Sequence, residues 1–281
     1  MTTLPNSEIK ALVKLLRADD ESTYKLLEEQ LKTFDSRILK DIECEISSDD
    51  ESLKKHFSEL VTKVKRQWLK TSFLKLDLNQ LSELEKGVFL ISLFNNPFAD
   101  INSYTKILDD WAKKLSINLQ QVKLPDDPTS IINEVNHFLF MELGFKGNKQ
   151  NYYDPENSYI DKVIERKIGN PILLSMIYIF IVKRIGLPFI GVNIPAHFLV
   201  QYADSFEPIF VDPFNQGEII TREVCQERIR ALDLMWHESY LKAPTNKQIL
   251  IRIMQNLINI YKEEGKLEEK EYLEGYVKAL K

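Results

Sequence analysis

The sequence predicts an α+β chain in which a small antiparallel sheet is flanked on both sides by helices. From residue 7 to about 119, apolar residues recur at helical spacing, as in Leu53, Phe57, Leu60, Val61, Val64 and Trp68. Residues 192–202 and 207–212 are instead rich in β-branched and aromatic residues, and the polar break "ADSF" between them suits a hairpin. From 245 to 281 the helical period returns.

The elements follow in order. Short polar turns divide residues 7–119 into an array of helices. One helix is expected over 84–94, stopped by "NNPF" because a proline disfavours helical geometry at the residue before it. The next starts near 107. "LPDDPTS" (124–130) concentrates prolines, aspartates and cap-forming residues, and marks the boundary between a helical N-terminal region, 1–124, and a core domain, 125–243. In the core, 131–143 reads as a helix, "GFKGNKQNYYDPENS" as a structured loop and 159–167 as a short helix. "IGNPILLS" then has the form of a helix start, with Asn170 as N-cap and Pro171 at the first helical position. Its body is solidly apolar, so this helix should be buried on most sides. Residues 244–281 form a helical hairpin: Ile249, Ile253, Leu257 and Tyr261 line one face, "EEGK" turns the backbone, and Tyr272, Tyr276 and Leu280 follow. The hairpin is loosely like a single tetratricopeptide unit, but no fixed period occurs elsewhere, so it is expected to pack on the core.

Composition narrows the function classes. The net charge is −5 with acids and bases interspersed, so no basic stripe points to nucleic acid. The longest apolar run, 172–182, is shorter than the ~20 residues that span a bilayer. The opening "MTTLPNSEIKALVK" lacks a basic segment followed by an apolar one, which predicts a cytoplasmic protein. Two cysteines, Cys44 and Cys225, lie far apart without ligand-like spacing, so neither a disulfide framework nor a zinc site is expected. No phosphate-binding glycine loop is present, and no cofactor or metal is predicted.

One constellation carries possible chemistry. Ser175 lies in the apolar helix, His197 in "NIPAHFLVQY" and Asp212 in "IFVDPF". Strand alternation would place His197, Leu199 and Gln201 on one face, and the aspartate on the following strand could accept from His197 Nδ1–H and fix its tautomer. Asp212 has a structural reading too, as the initiator of an Asp-Pro turn. Ser175 sits one turn, ~6 Å, below the helix start. It is either a nucleophile or a small packing residue whose hydroxyl returns to a backbone carbonyl near Pro171. Asn170, Asn193, Tyr152 and Tyr153 are candidate lining residues. His56, His137 and His237 read as surface or packing groups, and Phe138, Phe140 and Phe145 as core.

The run from "NHFLFMELGF" through "GNKQNYYDPENSYIDKVIERKIGNPILLS" to "GVNIPAHFLVQY" and "IFVDPFNQGEIIT" resembles the transglutaminase-like superfamily, specifically its SirB-type regulator branch. Gly147-Asn148, Asn157-Ser158 and the Gly-x-Pro helix start belong to the pattern. The resemblance implies a papain-like α+β core in which a helix-start cysteine, a histidine on the next strand and an aspartate on the one after form a triad. His197 and Asp212 fall on the last two positions. Counting back from "GLP" (186–188), the cysteine position falls at or beside Pro171, and the SirB-type branch is similar in lacking that cysteine. Proline supplies neither a nucleophile nor a backbone N–H for an oxyanion.

The expected function is therefore a cytoplasmic regulatory or scaffolding protein with a degenerate site that retains a His–Asp pair, acting through protein partners. The alternative is a Ser-His-Asp acyl-transfer enzyme (peptidase, amidase or esterase) with Ser175 attacking. A third reading is a helical adaptor in which the core domain is only a spacer.

Overall fold

The computed structural model describes residues 4–18, 20–122 and 127–281. The expected boundary at 124–130 lies partly outside the described residues.

Helices α1 (Asn6–Leu15), α2 (Glu21–Thr33), α3 (Ser36–Glu45) and the first half of α4 (Glu51–Leu74) enclose a core built on Leu27, Leu39, Phe57 and Val61. Asp20, Asp35 and Asp50 each accept a first-turn backbone N–H of α2, α3 and α4, so a side-chain carboxylate satisfies a donor the helix itself leaves open. With 24 residues, α4 is about 36 Å long. Its second half, with Leu69 and Phe73, enters a separate and larger core.

That larger core is assembled around α9 (Pro171–Arg184), on which α5 (Leu81–Asn95), α6 (Ile101–Leu119), α7 (Pro128–Asn136) and α8 (Ile160–Arg166) converge. Residues 171–182 of α9 are all buried, as its uninterrupted apolar body predicts. Phe138, Phe140 and Phe145 are buried in the same core. After α7 the backbone runs on as a wider π-helical turn, His137–Glu142, where the spacing predicts one continuous helix.

The four-stranded antiparallel sheet has the order β3 (Phe189–Val192), β4 (Leu199–Tyr202), β5 (Ile209–Asp212), β6 (Glu218–Ile220). Phe189, Val200, Tyr202 and Val211 face the α9 core. Val192, Leu199, Phe210 and Ile220 face the other way and form a small third core with Cys225 and Ile229 of α10 (Arg222–Arg230). This alternation is the period of two that a sheet covered on both faces requires.

The single strand expected over 192–202 is two strands with a turn between them. Pro195 has no N–H to give a ladder, Ala196 takes a left-handed φ of 57°, and the His197 N–H donates to Ile194 O at 3.2 Å. His197 therefore stands in the β3–β4 connection, and the strand-face alternation invoked for it does not apply. The loop before α8 contains β1 (Lys146–Gly147), which pairs in parallel with β2 (Ile168–Gly169) just ahead of α9.

At the C-terminus, α11 (Asn246–Glu263) and α12 (Leu267–Leu280) form the expected hairpin. Thr245 and Gln248 close a reciprocal capping box at its start. The hairpin docks on α4 and α5: the Tyr276 hydroxyl donates to Arg66 O at 2.6 Å, and the Arg66 guanidinium pairs with Glu269 at 3.3 Å while lying 4.6 Å over the Phe94 ring. Among the described residues, no helix is long and apolar enough to cross a membrane.

Candidate functional site

Asp212 closes β5 and opens a short helical turn, Pro213–Asn215, whose Asn215 N–H and side-chain amide donate to its carboxylate at 3.3 and 2.9 Å. The turn-forming and histidine-binding roles coexist, since Asp212 Oδ1 also lies 2.8 Å from His197 Nε2. The bond is made through Nε2, where the sequence reading expects Nδ1, so Nδ1 is the ring nitrogen left toward the surroundings. A third partner comes from α10: Arg228 Nη1 donates to Asp212 Oδ2 at 2.6 Å, and its Nη2 reaches Glu218 at 3.2 Å.

The Asp212 side chain is fully buried. Burial alone would push its carboxyl up, but the His197, Arg228 and Asn215 donors outweigh that and hold it well below the usual carboxylate range. Such a carboxylate is an orienting anion rather than a proton acceptor near neutral pH.

One aromatic ring meets the imidazole, and two more extend outward from it. Phe214 meets His197 edge-on at 6.0 Å, Tyr152 meets Phe214 at 5.8 Å, and Tyr153 meets Tyr152 at 5.3 Å. Gly147 permits this arrangement, because a Cβ built there would fall 2.5 Å from Phe214 O and 2.6 Å from its ring. Its place in the "GN" dipeptide is therefore explained by the close approach of β1 to the Asp212 turn.

Ser175 takes the packing arrangement. It is wholly buried, and its hydroxyl donates to Pro171 O at 2.8 Å, with Phe198 O at 3.4 Å as a longer second acceptor. Among the described residues no hydrogen bond joins it to His197. It ties α9 to the residue that follows His197, and the constellation reduces to His197, Asp212 and Arg228. Neither cysteine replaces it. Cys44 is exposed on α3, and Cys225 is buried behind the sheet, where burial pushes its thiol up to about 11.

The start of α9 is built by side-chain amides. Asn170 Oδ1 accepts the Leu173 N–H at 2.9 Å, and its Nδ2 donates to Ser158 Oγ at 2.8 Å. Asn157 in turn donates to Asn151 O at 2.8 Å and accepts from Asn148 Nδ2 at 3.0 Å. Pro171 is the buried first residue of the helix. Asn170, Ser158, Tyr152 and Tyr153 line a cleft of about 390 Å³ whose opposite wall is α11, through Asn256 and Asn259. Asn193 is not part of that wall; its side-chain oxygen is buried with no hydrogen-bond partner among the described residues.

The remaining histidines lie apart. His56 bonds the Tyr24 hydroxyl in the N-terminal core, and His237 packs on Tyr240. His137 lies with Glu134 and Glu142, their ligand-type atoms within 4.8 Å of one another, but Glu142 already accepts from Lys114 and Asn118.

Arg228, Asn215 and Phe214 are site residues that sequence reasoning misses. Arg228 lies 16 residues beyond Asp212 on another element, where spacing carries no signal. Phe214 and Asn215 stand in "DPFNQG", so the turn signature could have pointed to them.

The family model described as the transglutaminase-like superfamily matches residues 102–255, more than half of the sequence, and the protein belongs to that superfamily. Among curated proteins it is similar to a UPF0162 protein of Xylella fastidiosa strain Temecula1, 35% identical over 184 residues. That match covers 63% of the present sequence and 64% of the relative, so the protein spans somewhat under two thirds of that relative's length. It is also similar to mouse F-box only protein 21, 31% identical over 49% of the present sequence and 23% of that protein. A UPF0162 protein of Pseudomonas aeruginosa is 24% identical over 56% of the present sequence and 57% of its own. No solved structure matches the sequence.

Proposed function

We propose that this is a cytoplasmic regulatory or scaffolding protein of the SirB-type branch, whose transglutaminase-like domain holds a protein partner and does not transfer acyl groups. The observation that carries this reading is the start of α9. Pro171 stands at its first position and the Ser175 hydroxyl is directed to backbone carbonyls, so among the described residues no nucleophile is hydrogen-bonded to the His197–Asp212 pair.

A base and an orienting carboxylate with no nucleophile beside them among the described residues lack the group that forms the covalent intermediate, and Pro171 offers no backbone N–H to an oxyanion at the helix start. What the three-residue network does supply is rigidity. Asp212 links the β3–β4 connection, the turn after β5 and α10, and so fixes His197 and the Pro213–Asn215 turn relative to one another. The membership of UPF0162 proteins and an F-box only protein among the relatives is compatible with one domain serving different whole proteins.

The test is turnover of p-nitrophenyl acetate and of a glutamine-containing peptide with an amine acceptor. Wild type, Ser175→Ala and His197→Ala should be indistinguishable from one another and close to the uncatalysed rate. Turnover that both substitutions abolish would overturn the proposal.

A further inference from the structure

Along α11, Arg252, Asn256, Asn259 and Glu263 recur on one face at helical spacing, and the last three line the cleft that runs past Asn170. Arg252 lies at the end nearest His197. Its Nη1 donates to Ile194 O, in the turn leading to His197, at 3.0 Å, and its guanidinium lies 5.8 Å from the Phe198 ring.

Arg252 is half-buried and, among the described residues, pairs with no carboxylate. Burial pushes its pKa down. One guanidinium N–H is engaged by Ile194, while Nε and Nη2 are neither hydrogen-bonded among the described residues nor buried. A half-buried guanidinium normally has a planar acidic partner, because that geometry offers two parallel N–H···O bonds.

Two further features of the groove define what would lie in it. The Asn256 side chain makes no hydrogen bond within the described residues, and a side-chain amide offers both donor and acceptor, the pair that a peptide group requires. At the far end Glu264 is held by Lys266 at 2.8 Å, which leaves Glu263 as an exposed acid with no cation paired to it among the described residues. Eleven residues of helix separate Arg252 from Glu263, about 16 Å, or roughly five residues of extended backbone.

We infer that this groove binds an extended peptide segment of about five residues, with a carboxylate on Arg252, a backbone amide on Asn256 and a basic side chain near Glu263. The carboxylate comes either from a polypeptide's C-terminus or from an acidic side chain. The inference deepens the partner-binding reading above and rests on it, since a bound segment is held there and not converted.

The probe is the pentapeptide acetyl-Lys-Ala-Ala-Ala-Ala as its free acid, compared with its C-terminal amide and with the amide carrying glutamate as last residue. Binding to the full-length protein is followed by ¹H–¹⁵N shifts, including the Arg252 Nε–H signal. At least one carboxylate-bearing peptide should bind about tenfold tighter than the alanine amide and move that signal, as expected for one charge-assisted contact at a half-open site. Preference for the free acid assigns the ligand as a C-terminus, and preference for the glutamate amide assigns an acidic side chain. Arg252→Gln should remove the discrimination and Arg252→Lys restore part of it, while the comparison among peptides on the native protein needs no variant. Equal binding of all three peptides, discrimination that survives Arg252→Gln, or no shift with any peptide would overturn the inference. Cleavage of the bound peptide that is lost in Arg252→Gln would support the groove while removing the non-catalytic reading.

Discussion

Arg228→Ala isolates the part of the site that the sequence does not mark. Arg228 donates to Asp212 at 2.6 Å; the aspartate side chain is fully buried and the arginine side chain 32% exposed. Breaking a fully buried pair costs about 3–5 kcal/mol, and an exposed one contributes about 0–1 kcal/mol. Here the carboxylate keeps His197 on one oxygen and the Asn215 amide on the other, so the loss should fall between these limits, at about 2–3 kcal/mol. For a protein of this length that lowers Tm by about 4–6 °C, read by circular dichroism at pH 7. The pH dependence has a defined sign. The Asp212 carboxyl is held below its unfolded value, so the stability it contributes is complete above about pH 4 and drains as pH falls toward its lower folded value. In the variant the carboxyl is held down less, and the gap between the two proteins should narrow as pH is lowered below about 4. A variant as stable as wild type at pH 7, or a gap that widens in acid, would refute the reasoning.

Three other substitutions test separate parts of the account. Gly147→Ala places a methyl group against Phe214 and should cost about 1–3 kcal/mol in chemical denaturation, with a shifted His197 imidazole resonance as the local sign. Ser175→Ala removes one buried hydroxyl bond and should cost about 1 kcal/mol while leaving binding to the peptide probes unchanged; a tenfold loss of binding would give the serine a role it lacks here. Asp161, in the first turn of α8, has both carboxylate oxygens buried and outside hydrogen-bond geometry among the described residues, and burial raises its carboxyl against the weaker opposing pull of the nearby Ser92 hydroxyl. Its folded-state pKa above the unfolded one opposes folding as pH rises past about 4, so Asp161→Asn should gain stability at pH 7 and lose that gain toward pH 3 in paired melts.

The parts of the fold that are legible in the sequence are those fixed locally. "NP" before an unbroken apolar run marks both the start and the burial of α9, and Asn170 caps it as its residue type dictates. The hairpin of α11 and α12 is likewise written in its spacing. The β3–β4 connection is hidden because the β-branched and aromatic residues around it make 192–202 read as one strand, whereas Pro195 and the left-handed Ala196 decide the backbone there. That single turn moves His197 off the strand, and its imidazole meets Asp212 through Nε2. His197 and Asp212 can be paired from the sequence because they sit on neighbouring elements. Arg228 and Arg252 cannot, because each reaches the site from a helix distant in sequence, and the spacing along the sequence does not say which elements those helices pack against.

The most direct test of the central claim is the intact mass of the folded protein after exposure to a serine-directed fluorophosphonate, with peptide mapping of any adduct. The account predicts no adduct at Ser175, because its hydroxyl is buried and bonded to backbone carbonyls. A single adduct at Ser175 that disappears in His197→Ala would contradict it and make the domain an enzyme.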